Sequence, residues 1–314
     1  MMRDFKLLML GAMYENGGNT THRFLDGHHQ MFVYPFESQP GTKHVQDSMT
    51  SMFPVKYRWP SFLLEASPLE DYRAIIDEEG KVRARTPHVS KFRHMEFDLD
   101  DEERLKRYLE LIEKSGRSRA NNMAAFFRAT FECWKNYNRT GKEVFHVGYS
   151  PIITVDAEKI LEDLPQAHFL HVVRNPWSAY ADTKKRPVPL SLANYMLGWT
   201  TCQYFALLNK EKYPDRMHIV RLEDVVENPA KTLGALCEEL GLEKSDKLST
   251  PTWNGTELET VYPWGTIKKA TPAANKATAD ELSQAEKDEI RARTWQYLDA
   301  FDYKSFLESK ALSR

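Results

Sequence analysis

Two apolar runs, far apart in the chain, constrain the fold more than anything else in it. Each stops abruptly at groups suited to an anion. The first is Leu7-Leu8-Met9-Leu10-Gly11, which leads into Asn16-Gly17-Gly18-Asn19-Thr20-Thr21. The second is Phe169-Leu170-His171-Val172-Val173, which leads into Arg174-Asn175-Pro176. A short continuous apolar run bounded by turn signals reads as a strand buried on both faces. Gly17 and Gly18 let a backbone approach an anion without Cβ interference. The helix start that follows points free N–H groups at it, and Thr20 and Thr21 add hydroxyls. Arg174 is suited to bidentate phosphate contact. Taken singly, the first segment is also compatible with a plain β–turn–helix corner, and the second with a surface arginine paired to a carboxylate. Taken together, two such strand ends point to a ligand with phosphate at both ends.

The remaining pattern supports one parallel sheet. Strands are expected at about 5–10, 31–34, 144–149, 169–173 and 217–221, separated by helical stretches. Leu105, Tyr108, Leu109 and Ile112 mark one amphipathic helix, and Met123, Phe126, Phe127, Phe131 and Trp134 another. Thr154 is placed to cap a helix. Asn228-Pro229 is an N-cap and N1 pair, with Gly241 as terminator. Short apolar strands alternating with helices predict an α/β fold: a central parallel sheet with helices on both faces. Residues 1–314 read as a single domain carrying a helical and loop-rich cap at about 39–140.

Composition narrows the function classes. The chain has 314 residues, 41% hydrophobic and 28% charged, with a formal net charge of −2. That balance gives no bulk attraction to nucleic acid or an anionic membrane. The three cysteines fit no zinc spacing and are expected to be free thiols in a reducing compartment. No metal-ligand cluster is visible. No apolar run is long enough to span a membrane, and Met1 to Leu10 lacks a cleavage site, so a cytoplasmic location is expected.

The glycine segment is like a phosphate-binding loop but lacks the lysine of G-x-x-x-x-G-K-[ST], which argues against an ATPase. With the Arg174-Asn175-Pro176 block, and Arg221-Leu222-Glu223-Asp224 followed by Asn228-Pro229, the chain resembles the sulfotransferases that use 3′-phosphoadenosine 5′-phosphosulfate (PAPS). The resemblance covers most of the chain. It implies a P-loop-NTPase-like fold and transfer of a sulfuryl group from PAPS to a hydroxyl or amine, leaving adenosine 3′,5′-bisphosphate. By resemblance, Asn16, Gly17, Gly18, Asn19, Thr20 and Thr21 form the 5′-phosphosulfate loop, and Arg174 holds the 3′-phosphate.

The chain departs from that family in two places. Asn16 stands where the loop usually has Lys or Arg, so the cation must come from elsewhere, with Arg23, Lys184, Lys185, Lys268 and Lys269 as candidates. Asp182 stands where the family has a serine near the 3′-phosphate. A carboxylate facing a phosphate is repulsive, so Thr183 is assigned there and Asp182 left out. Glu37, just after the second strand, is the candidate general base, with His28 and His29 as competing bases. Trp253 and Trp264 fall in a loop that often contacts the nucleotide, although a core role is favoured for both. Phe53, Tyr57, Trp59 and Phe62 suit a small-molecule acceptor or a core. Two other classes stay open: a nucleotide-dependent kinase, and a non-catalytic nucleotide- or glycan-binding relative.

Overall fold

The computed structural model describes residues 4–80, 83, 94–258 and 271–308. At its centre is a five-stranded, wholly parallel sheet in the order β2-β3-β1-β4-β5. The strands are β1 (Leu7–Ala12), β2 (Met31–Val33), β3 (Phe145–Pro151), β4 (His168–Val173) and β5 (Met217–Arg221). The predicted ranges hold to within two residues, and Met217–Arg221 holds without change. The first strand differs most: it runs through Gly11 to Ala12, so the turn after it is shorter than the glycine pattern suggested.

β1 lies between β3 and β4, with Leu7 opposite His146 and Leu8 opposite His168. Its side chains alternate between two cores. Leu7 and Met9 join the cluster with Phe126, Phe127 and Trp59, whereas Leu8, Leu10 and Ala12 join the one with Leu25, Val33 and Leu233. All are fully buried, and each aliphatic side chain so buried is worth about 1.5–3 kcal/mol. That two-sided burial is why β1 reads as a continuous apolar run.

The helices that position the site are α1 (Gly18–Leu25) after β1, then α2 (Pro68–Ile75) and α3 (Asp77–Gly80) in the cap. α4 (Asp101–Ser115) and α5 (Arg119–Cys133) follow, then α6 (Ala157–Asp163), α7 (Pro176–Thr183) after β4, α8 (Leu192–Lys212), α9 (Leu222–Glu227), α10 (Pro229–Glu239), α11 (Pro272–Asp280) and α12 (Gln284–Leu298). Asn228 caps α10 through Lys231 N–H, and Gly241 takes a positive φ just beyond it, as the sequence predicts. Thr154 does not cap: it sits in a short 3-10 turn and bonds the ring of His171.

The cap is tied to the turn after β3 by charge. Arg58, almost fully buried, forks onto Asp156 at 2.7 and 2.9 Å and onto Asp47 at 2.6 and 3.1 Å. The backbone N–H of Trp59 donates to the same Asp156. Bidentate pairs of this kind hold position as well as charge. Phe53 and Trp59 are spent on core packing. Phe62 packs partly buried against the core, which leaves Tyr57 as the cap aromatic placed near the site described next. Among the described residues no helix is long and apolar enough to cross a membrane.

Candidate active site

The chain leaves β1 toward β2 and β3 on one side, and β4 and β5 lie on the other. Strand order therefore reverses at β1, the point where open α/β sheets bind ligands, beyond the carboxyl ends of the strands. Two loops meet there: Met13–Gly17 after β1, and Arg174-Asn175 after β4.

The first loop ends in α1. Gly17 is its N-cap, in the left-handed region at φ +83°, and no side chain caps this end. There is no acid in the first turn. The first-turn N–H groups of Gly18 and Asn19 have no intrahelical partner by helix geometry, and the helix end favours an anion. Both glycines are needed for packing. A Cβ on Gly17 would lie 2.4 Å from Leu222, and one on Gly18 would lie 2.3 Å from the Tyr149 ring. The side chains of the loop are used internally. Thr21 Oγ1 donates to Gly17 O at 3.1 Å. Asn16, fully buried, donates to Tyr14 O and Tyr195 OH and accepts from Arg174 N–H. Asn16 therefore shapes the loop and has no amide group left over for a ligand. Thr20 is buried, and Asn19 is half-buried at the helix mouth.

The candidate base stands beside this helix end. Glu37 follows β2 at the carboxyl edge and takes a hydrogen bond from Gln39 Nε2 at 2.7 Å. Its neighbour Ser38 is fixed by two bonds, from N–H and Oγ, to the carbonyl of Tyr149. The Tyr149 ring in turn lies on Gly18. Trp253 supports the same segment through Nε1 to Pro35 O at 3.1 Å, which is the buried, structural role the sequence favoured. Burial drives the Tyr14 hydroxyl up to about 12, with Glu37 adding to the rise and Arg186 opposing it. The Tyr57 and Tyr149 hydroxyls are raised for the same leading reason, with Glu37 the largest charge contribution. All three phenols are thus held protonated, and Tyr14 meets Tyr57 edge-on at 5.8 Å.

Arg186 supplies a cation that the sequence reading did not single out. Its guanidinium lies 4.5 Å from the centre of the Tyr14 ring, and its Nε is 4.0 Å from Glu15 Oε1. Of the five expected cations, the three among the described residues are engaged elsewhere. Arg23 is fully buried and donates to Tyr34 O and to the ring of His22. Lys184 pairs with Glu286, and Lys185 with Asp182 and Glu281. Lys268 and Lys269, with Trp264, lie outside the described residues. The basic run 184–186 was visible, but only the fold shows which member turns toward the loop.

His28 lies at the opposite edge of the sheet, because it precedes β2 where Glu37 follows it. Its Nε2 bonds Glu243 O, and its Nδ1 accepts from Gln30 N–H. Burial lowers its pKa, so the ring is neutral with both nitrogens engaged. His29 stacks on it and pairs with Glu243. Neither reaches the carboxyl edge, where Glu37 stands alone among the three candidate bases.

Arg174 ends β4 as predicted, but its guanidinium is only 2% exposed and largely occupied. Nη1 donates to Asp182 Oδ2 at 2.7 Å and to Glu15 O at 2.9 Å, and Nε donates to Asn275 Oδ1 at 2.6 Å. Nη2 has no partner among the described residues. Asn275 continues to Glu223, which also takes Asn175 and Tyr303. Thr183 is buried, and its Oγ1 donates to Ala179 O within α7. The left-handed Glu15, at φ +59°, is the loop residue that offers its carbonyl to Arg174. Among the described residues no group of three or more His, Cys, Asp or Glu could hold a metal ion.

A phosphate-ready helix end at the switch point, a carboxylate beside it and an Arg-Asn-Pro strand end together match one known family. The profile described as "Sulfotransferase family" matches residues 18–246, well over half of the chain. The chain belongs to the sulfotransferase family. One solved sulfotransferase domain shares its fold, and other solved structures are similar to it more loosely. The sulfotransferase domain of the Synechococcus PCC 7002 olefin synthase is 17% identical, with a TM-score of 0.53 over 93% of this chain and 94% of that one. STF9 from Mycobacterium avium is 12% identical, with a TM-score of 0.48 over 96% and 78%. Retinol dehydratase, solved with androsterone and the inactive cofactor PAP, is 11% identical, with a TM-score of 0.43 over 96% and 83%. At 17% identity the likeness to the olefin synthase domain is one of fold alone. No curated protein matches the chain.

Proposed function

We propose that this sulfotransferase moves a sulfuryl group from PAPS to a hydroxyl or amine of a small-molecule acceptor. The observation that carries the reading is the uncapped start of α1, held through Tyr149 against the segment that bears Glu37. Bound there, PAPS would supply an activated sulfuryl group and a phosphate leaving group.

The chain's own residues then have separable tasks. The first-turn N–H groups of α1 bind the phosphosulfate end. Glu37 takes the proton from the acceptor's nucleophilic atom, as a carboxylate within hydrogen-bond reach can. The phenols of Tyr14 and Tyr57, held protonated by burial, orient the acceptor as donors. Arg186 balances charge that builds on the leaving phosphate, the task usually given to a preorganised cation. Arg174 offers Nη2 to the 3′-phosphate.

Turnover of PAPS against a panel of phenols, alcohols and amines tests the reaction. Sulfated product is expected. Thermal shift with adenosine 3′,5′-bisphosphate, ATP and ATP with magnesium tests the nucleotide. Stabilisation by ATP with magnesium alone would favour phosphoryl transfer instead.

A further inference from the structure

At the end of β4 an acid already engages the arginine that the PAPS reading assigns to the 3′-phosphate. Asp182 and Arg174 are each 2% exposed and lie 2.7 Å apart. The pair is built in on both sides. Asp182 Oδ1 also holds Lys185 Nζ at 3.1 Å, and Lys185 is anchored to Glu281 at 2.9 Å. Arg174 is fixed from behind by Asn275 and by the carbonyl of Glu15. A fork that could meet a phosphate with two parallel N–H groups is thereby reduced to one free corner, Nη2, beside a resident negative charge.

We propose that Asp182 is an internal competitor for the nucleotide's 3′-phosphate at Arg174. It is then the residue that sets how strongly this chain distinguishes a 3′-phosphorylated nucleotide from one without that group. The proposal rests on the PAPS reading above and refines it. Because Asp182 has a second cation in Lys185, it can surrender Arg174 without being left unpaired. A 3′-phosphate entering the site takes over the Arg174 N–H that Asp182 releases. The consequence is a shallow preference at the 3′ end and easy release of adenosine 3′,5′-bisphosphate.

Calorimetric titration of wild type, Asp182→Ser and Asp182→Asn with adenosine 3′,5′-bisphosphate and with AMP, at one fixed salt concentration, tests this. Asp182→Asn keeps the shape and removes the charge, so it serves if the serine variant is poorly folded. In both variants the ratio of AMP to bisphosphate dissociation constants should rise roughly ten- to a hundredfold, the worth of one charge-assisted hydrogen bond. AMP affinity itself should stay within about threefold, since AMP lacks the competing group. An unchanged ratio in folded variants overturns the proposal; a wild type that already favours the bisphosphate would then leave the PAPS reading standing. A ratio near one in wild type and in both folded variants overturns the PAPS reading itself.

Discussion

The ends of β1 and β4 lie side by side in the sheet and are built on opposite plans. At β1 the groups proposed to bind the anion are backbone N–H groups with no side chain capping them and no acid in the helical turn. At β4 they belong to one guanidinium already engaged by Asp182, Asn275 and Glu15. Backbone donors at a helix start cannot be neutralised by a rotamer change and stay aimed whether or not a ligand is present. A guanidinium buried in the interior must be partnered, or the cost of burying its charge is left uncompensated. The chain therefore keeps one end open by using main chain and closes the other by using side chains. Reaction is expected at the first end and selection at the second.

The largest test of that contrast is at the open end. Glu37→Gln keeps shape and removes basicity, so turnover should fall by about 10²–10⁴. Affinity for adenosine 3′,5′-bisphosphate, read by calorimetry, should stay near wild type. Near-normal turnover would remove Glu37 from the reaction. Next in size is Arg186→Gln. Loss of one preorganised group on developing charge typically costs roughly 10²–10³ in kcat, and steady-state kinetics would read it. If KM for the acceptor rose and kcat held, Arg186 would instead be placing the acceptor through Tyr14.

The support of the open end can be broken without touching its chemistry. Gly17→Ala must place a Cβ against Leu222 at a positive φ. Overpacking of this sort costs about 1–3 kcal/mol, measurable as a lower urea midpoint. A variant as stable as wild type would mean that the loop has room to shift. The smallest effect is expected at the closed end. In wild type, one available N–H corner on Arg174 should favour adenosine 3′,5′-bisphosphate over AMP by only about two- to tenfold, the range of a modest hydrogen bond. A preference of a thousandfold would show that Asp182 yields the arginine at no cost.

The sheet was legible because burial on both faces leaves a signature that local composition cannot hide. β5 was readable to the residue, and the Asn228-Pro229 cap was readable as chemistry. The site was legible only in part, for a consistent reason. Sequence shows which residues follow a strand but not what they bond. Asn16 looked like a ligand because it sits in the loop, yet its amide is consumed by Tyr14, Tyr195 and Arg174, partners far apart in sequence. His28 looked competent because imidazole titrates near neutrality, but its position before β2 instead of after it puts it at the wrong edge. Arg186 was passed over because three neighbouring cations are interchangeable on paper. Asp182 was set aside as repulsive to phosphate, and that repulsion is the property that gives it a role.

The central place of β1 also has a consequence for how the chain is made. Its partners arrive late: Leu7 waits for His146, and Leu8 for His168. At a synthesis rate of roughly 5–20 residues per second, the first strand emerges on the order of ten seconds before either neighbour exists. Throughout that interval Leu7-Leu8-Met9-Leu10 is an apolar segment with both hydrogen-bonding edges open, the kind of segment that pairs with other chains. Slow closure of distant parallel pairs prolongs the exposure. The strand that ends at the phosphate loop is thus also the segment most in need of a chaperone, and yield on expression should respond to cooling or added holdase more than the stability of the finished protein would suggest.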